Sequence, residues 1–221
     1  MKFTFSKEEM YTIINSLDFY SRIYIGQYDR ILSDIRWYKS CRQLDDITYE
    51  TTIPLKEIRH ILLPELDKYG WNSSHGIFSD EIDYRAGVAY DMQQEFRYKL
   101  AYFEHPEGGI FVDFTRPMQV EKDPYPFPHA ECFQEGDEIF ETIKIYAKQR
   151  DIIIDALKIQ KAKLTCEIKE LFSYYTKNKS VLKLADKLTQ ILSEIDDSSI
   201  PDITIINEIL RKLEKKEKDF Q

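Results

Sequence analysis

Apolar residues recur along this chain mostly at alternating steps of three and four, the spacing that lays one face of an α-helix against a core. Met10, Ile13, Ile14, Leu17 and Tyr20 carry one such stripe, and Tyr28, Ile31, Leu32, Ile35 and Tyr38 resume it beyond Gly26. The interruption predicts either one long helix weakened at Gly26 or two helices meeting there. Ser6 stands three residues before Glu9. At that spacing a hydroxyl and a carboxylate cap each other's backbone N–H, so the first helix should begin here. Residues 41–53 read as polar and irregular. Leu55, Ile58, Leu62 and Leu66 form the next stripe, with Pro54 suited to a first helical position, Pro64 predicting a restart and Gly70 a stop. Ser79, with Asp80, Glu81 and Asp83 behind it, predicts the cap and acidic first turn of another helix. Ile82, Ala86, Ala89, Gln93, Phe96, Leu100 and Phe103 carry that helix up to His105 and Pro106.

Alternation with a period of two is confined to short stretches. Phe3 and Phe5 flank Thr4, and Ile110, Val112 and Phe114 follow Gly108-Gly109. These predict a two-stranded element, which a helix must cover to make it stable. Between Arg116 and Gly136, Pro117, Pro124, Pro126 and Pro128 interrupt regular structure. Beyond them, Ile143, Ala147, Ile154, Leu157, Leu164, Ile168 and Leu171 predict one helix from about residue 137 to 175. Val181, Leu184, Leu188, Ile191 and Ile195 carry a second stripe, and Ile206, Ile209 and Leu213 a third. The expected fold is mainly α: a helical core with a small two-stranded β element over residues 1–115, a Pro-rich linker or arm over 116–136, and a C-terminal antiparallel helical hairpin or three-helix segment over 137–221.

Composition narrows what such a fold does. The 221 residues are 43% hydrophobic, enough for a packed core and against wholesale disorder. A net charge of −8 argues against binding nucleic acid through its phosphates, and the Lys-rich end after Arg211 is interleaved with Glu214 and Glu217. Cys41, Cys132 and Cys166 are widely spaced and form no CxxC pair, which points to reduced thiols and a cytoplasmic protein. No run approaches the ~18 apolar residues of a membrane span, and no secretory signal is expected.

Chemistry-bearing motifs are scarce. His60, His75, His105 and His129 show no HxxxH or HExxH spacing. His129, Glu131 and Cys132 read as a polar arm, and Ser73-Ser74-His75 lacks the GxSxG elbow. Asp80 and Asp83 share a helical face, which a helix dipole explains without a cation. Neither catalytic residue, metal ligand nor cofactor is expected. The polar and aromatic residues Arg22, Gln27, Tyr28, His75, Tyr90 and Asp91 stand out inside the helical core. They line a ligand cleft, with Arg22 as an anion contact, or they form a buried hydrogen-bond network that fixes helix packing. Leu184, Leu188, Ile191 and Ile195 are the candidate interaction residues, as a coiled-coil face for a protein partner or a second copy. The same stripe also suits closure of an intramolecular bundle.

The stretch Leu17-Asp18-Phe19-Tyr20-Ser21-Arg22-Ile23-Tyr24-Ile25-Gly26-Gln27-Tyr28-Asp29-Arg30-Ile31 is the first of two sets that carry a resemblance. That second set is Ser73-Ser74-His75-Gly76-Ile77, Val88-Ala89-Tyr90-Asp91 and His105-Pro106-Glu107-Gly108-Gly109. Together they resemble a family of small uncharacterised proteins of bacteria and their phages, over about the first 115 residues. The resemblance implies a bacterial or mobile-element setting and brings no activity, cofactor or catalytic residue with it. The expectation is a non-enzymatic interaction or regulatory protein acting through helical surfaces. The alternative is small-molecule, nucleotide-like binding or a small hydrolase built on the polar cleft.

Overall fold

Ser6 and Glu9 cap the first helix as their spacing requires: the Ser6 N–H donates to Glu9 Oε2 at 2.8 Å and the Glu9 N–H to Ser6 Oγ at 3.3 Å. The structure is a computed structural model describing residues 1–39, 44–120, 126, 128–193 and 202–218. It is mainly α with a small three-stranded antiparallel sheet. The order is β1 (Lys2–Ser6), α1 (Lys7–Tyr24), α2 (Asp29–Lys39), α3 (Leu44–Leu62), a 3₁₀ turn (Pro64–Tyr69), α4 (Tyr84–Glu104), a second 3₁₀ turn (Val112–Phe114), β2 (His129–Glu135), β3 (Glu138–Lys144), α5 (Ala147–Leu164), α6 (Ile168–Tyr175), α7 (Lys179–Ser193) and α8 (Asp202–Lys218). No helix among the described residues is long and apolar enough to cross a membrane.

The chain forms two compact units, each discontinuous in sequence. One comprises Met1–Ser21, Asp83–Leu157 and Pro201–Gln221, the other Arg22–Ile82 and Lys158–Ile200. In the first, β3 is the central strand and β1 and β2 flank it. Phe3 pairs with Ile143, Phe5 with Glu141, Ala130 with Ile143 and Cys132 with Glu141, so these residues share one sheet face. α4 packs against β2, and α8 lies over β1 with Ile206, Ile209 and Leu213 fully buried. Lys212 Nζ reaches Glu9 Oε2 at 2.5 Å, tying α8 to the capping pair of α1.

In the second unit α1 ends at Tyr24 and α2 starts at Asp29, so two helices meet at Gly26. Gly26 has φ +92°, and a Cβ there would lie 2.7 Å from Leu63 Cδ1. Both the left-handed backbone and the close approach require glycine. α3 buries Thr51, Leu55 and Ile58 against α7. α6 and α7 form an antiparallel hairpin: the Lys169 N–H, near the start of α6, donates to Thr189 Oγ1 near the end of α7 at 3.0 Å.

Five features differ from the sequence reading. Pro54 lies inside α3, which begins at Leu44. The helix forgoes one N–H there and is held by its buried face. Residues 40–43, including Cys41, lie outside the described residues. The α4 cap is Asp83, whose carboxylate accepts from the Arg85 N–H at 2.9 Å, which leaves Ser79 through Ile82 in the preceding turns. Ile110–Phe114 is an exposed loop closing in a 3₁₀ turn, and the partner of β1 is β3 instead. The helix expected from residue 137 begins at Ala147, after a hairpin whose strands pair Glu135 with Glu138 around Gly136-Asp137. Gly136, at φ +63°, supplies the positive dihedral that a two-residue hairpin turn needs. Cys166, read as helical, is buried at the break between α5 and α6 with φ +57°.

Candidate functional site

The loop joining α3 to α4 is built around Arg59. Its side chain is buried, and Nη2 donates to the carbonyls of Leu66 at 3.3 Å, Gly70 at 3.0 Å and Ser73 at 3.1 Å, and to Ser73 Oγ at 2.6 Å. Its guanidinium also lies 5.8 Å from the centroid of the Trp71 ring. These acceptors share the two N–H groups of Nη2, and the Ser73 hydroxyl reaches the Leu66 and Gly70 carbonyls as well, at 3.2 and 2.6 Å, so cation and hydroxyl together hold the tight loop. Arg59→Leu should cost about 3 kcal/mol in urea unfolding, because three carbonyls and the Ser73 hydroxyl lose a charged donor together. Limited proteolysis of the variant should cut first between residues 70 and 76.

Several residues singled out by the sequence meet at this loop. Arg22 Nη1 donates to Gln27 Oε1 at 2.9 Å, and Gln27 Nε2 donates to Ser74 Oγ at 3.3 Å. The next residue, His75, is fixed through its backbone N–H to the Ile25 carbonyl at 2.9 Å. The His75 ring is buried, with Nε2 2.7 Å from Glu65 Oε1 and Nδ1 3.3 Å from Glu81 Oε2. Tyr28 is fully buried in an aromatic cluster, its ring edge-on to Phe172 at 5.5 Å and to Tyr175 at 6.4 Å. Burial pushes its phenol well above its ordinary pKa. Tyr90 and Asp91 belong to the other unit, on α4. Asp91 is buried and accepts from the Val120 N–H at 2.7 Å, anchoring the segment after the 3₁₀ turn. The structure therefore brings Arg22, Gln27 and His75 to one loop and gives Tyr28 and Asp91 separate packing roles.

Of the candidate interaction residues, Leu188 is fully buried and Leu184 and Ile191 are half-buried. Ile195 lies outside the described residues. The inward face of α7 is Val181, Ala185, Leu188 and Leu192.

The sheet unit holds a feature that the sequence did not reveal. Glu141 is fully buried at the centre of β3, beside Cys132 on β2, and among the described residues its carboxylate has no donor stronger than the Cys132 thiol. Burial pushes its pKa up to about 8; Glu95 adds to the rise, while the Cys132 thiol and Lys99 oppose it. Burial, with Glu141 beside it, pushes the Cys132 thiol up to about 12, so its sulfur stays protonated and is unsuited to nucleophilic attack. The signal was the hairpin itself: Gly136-Asp137 flanked by alternating residues. Acidic Glu141 at an inward position concealed the alternation.

The same unit presents an apolar tip. Ile110, Phe111 and Val112 are 98%, 71% and 67% exposed. The base beneath them is firmly built. Tyr102 packs edge-on against Phe114 at 5.3 Å and donates from its hydroxyl to the Phe114 carbonyl at 3.2 Å. Arg97 Nη1 pairs with Asp113 at 3.3 Å. A Cβ on Gly109 would come within 2.6 Å of the Phe114 ring, so only glycine lets the loop fold back this closely. Elsewhere in the unit, Pro126, His129, Lys144, Ile145 and Tyr146 line a cavity of about 330 Å³ at the start of α5. That volume is at the small end for a ligand site.

Compared with protein-family models, with curated proteins and with solved structures, the chain matches none.

Proposed function

We propose that the chain is a non-enzymatic interaction protein, working in the cytoplasm of a bacterium or in a phage setting, and that it docks through the Ile110–Val112 tip. The carrying observation is three consecutive apolar side chains held in solvent on a loop with a packed base. Exposed apolar residues scattered singly are ordinary, whereas three in a row on an ordered loop make a surface suited to an apolar groove. The clustering of Arg22, Gln27 and Ser74 in mutual hydrogen bonds favours a packing role for that polar group over a ligand cleft. The buried position of Leu188 likewise favours this loop over the α7 stripe as the docking surface.

The double variant Ile110→Ser/Phe111→Ser tests the proposal. Its melting temperature should match the wild type, since both side chains already face water. Photo-crosslinking from position 112 in bacterial cytosol, and sedimentation of the pure protein, should show a discrete complex with a partner or a second copy. In the double variant that complex should weaken by at least about 10-fold, as burial of one large apolar side chain contributes about 1.5–3 kcal/mol. A wild type that crosslinks to nothing discrete, or a variant that binds equally well, would refute it.

A further inference from the structure

We propose that Glu65, His75 and Glu81 bind one divalent transition-metal ion of the Zn²⁺ class. One ligand atom from each of the three lies within 4.8 Å of the others. An ion seated at His75 Nε2 beside Glu65 takes Glu81 once that exposed side chain swings across from Nδ1, which it now faces at 3.3 Å. The imidazole is the fixed member. Its side chain is 6% exposed, and its backbone is pinned to the Ile25 carbonyl. The acids are the adjustable members, with side chains 43% and 70% exposed for Glu65 and Glu81. Each comes from a separately built turn. Pro64 opens the 3₁₀ turn that carries Glu65, and the Glu81 N–H donates to Ser79 Oγ at 3.2 Å just ahead of α4.

Charge and donor type point to the same ligand. Two carboxylates face one imidazole, leaving negative charge that a dication neutralises. Lys68, whose charge is felt by both acids, holds its ammonium 4.7 Å from the Tyr69 ring centroid and pairs with neither. One nitrogen with two carboxylates suits Zn²⁺ and its transition-metal neighbours. Ca²⁺ requires six to eight oxygens and Mg²⁺ a near-octahedral oxygen shell. Three protein ligands leave a position for water, and the exposed acids place it on the solvent side. The ion would join residues 65, 75 and 81 across the loop that Arg59 holds from within.

The full chain, stripped with a chelator, is titrated with Zn²⁺ by calorimetry and with Co²⁺ by visible absorption. The expected result is one ion per chain, a raised melting temperature and a Co²⁺ ligand-field band. Glu81→Gln and Glu65→Gln alter exposed side chains, and each should weaken binding at least about 10-fold while the metal-free protein stays folded. His75→Gln should abolish the band; if that variant fails to fold, the two glutamate variants decide the matter. Absence of saturable uptake by the wild type, or wild-type affinity in either glutamate variant, overturns the proposal.

Discussion

Glu141→Gln should make the protein more stable at pH 8 than the wild type while leaving stability near pH 5 almost unchanged. The Glu141 carboxyl has an ordinary pKa of 4.5 when exposed and about 8 when folded. A folded pKa that is raised means that the native state holds its proton where the unfolded chain has lost it. The favourable situation is therefore fully present below pH 4.5. Stability then falls as pH rises, at about 1.4 kcal/mol per pH unit, until the folded group also ionises near pH 8. Across that window the wild type should lose up to about 5 kcal/mol. The amide keeps the shape and hydrogen-bonding capacity of the acid but does not titrate, so the variant's curve should be flat where the wild type's slopes. The groups facing Glu141 set the effect: Glu95 works against its charge, Lys99 in favour, and the Cys132 thiol offers a weak donor. Urea unfolding from pH 5 to 9 measures this directly. Parallel curves would show that the carboxylate is ionised and paired in the folded protein.

Leu188→Asp should unfold the helices around it without exposing a subunit interface. Leu188 is fully buried, and α7 packs against α3 and α6. An aspartate there loses the apolar burial and places an unpaired carboxylate in the core that α7 shares with α3 and α6, at a cost of at least about 4 kcal/mol. Hydrogen exchange should show lost protection through α3, α6 and α7 at every protein concentration. A monomer with unchanged protection and melting temperature would instead place Leu188 at a surface between copies. Leu188→Ala offers a milder comparison, with a loss of about 2–5 kcal/mol through the cavity it leaves.

The helices were readable because each signal was local. The Ser6–Glu9 pair, the break at Gly26, the restart at Pro64 and the stop at Gly70 involve residues a few positions apart, and the chain honours each. The sheet was less readable because its pairing spans the chain: β1 meets β3 about 140 residues later. With Glu141 on the inward face, the alternation of β3 broke at its most informative position. Ile143 and Ala147, four apart, lent themselves to a helix stripe instead. Ile110, Val112 and Phe114 erred in the opposite direction, since alternation promises a strand only where a neighbouring strand stands beside it. Glu65 and Glu81 were hidden for another reason. Ten and six residues separate His75 from them, and no regular element links such spacings, so only the folded loop brings the three together.

The sheet unit is assembled from three separated stretches of chain, the last of them carrying α8. During synthesis, β1 is made about 140 residues ahead of β3 and waits for it before finding its strand partner. The helix that lies over β1 is made later still. Until both have emerged, Phe3 and Phe5 lack their cover, and the nascent strand is open to off-pathway contacts.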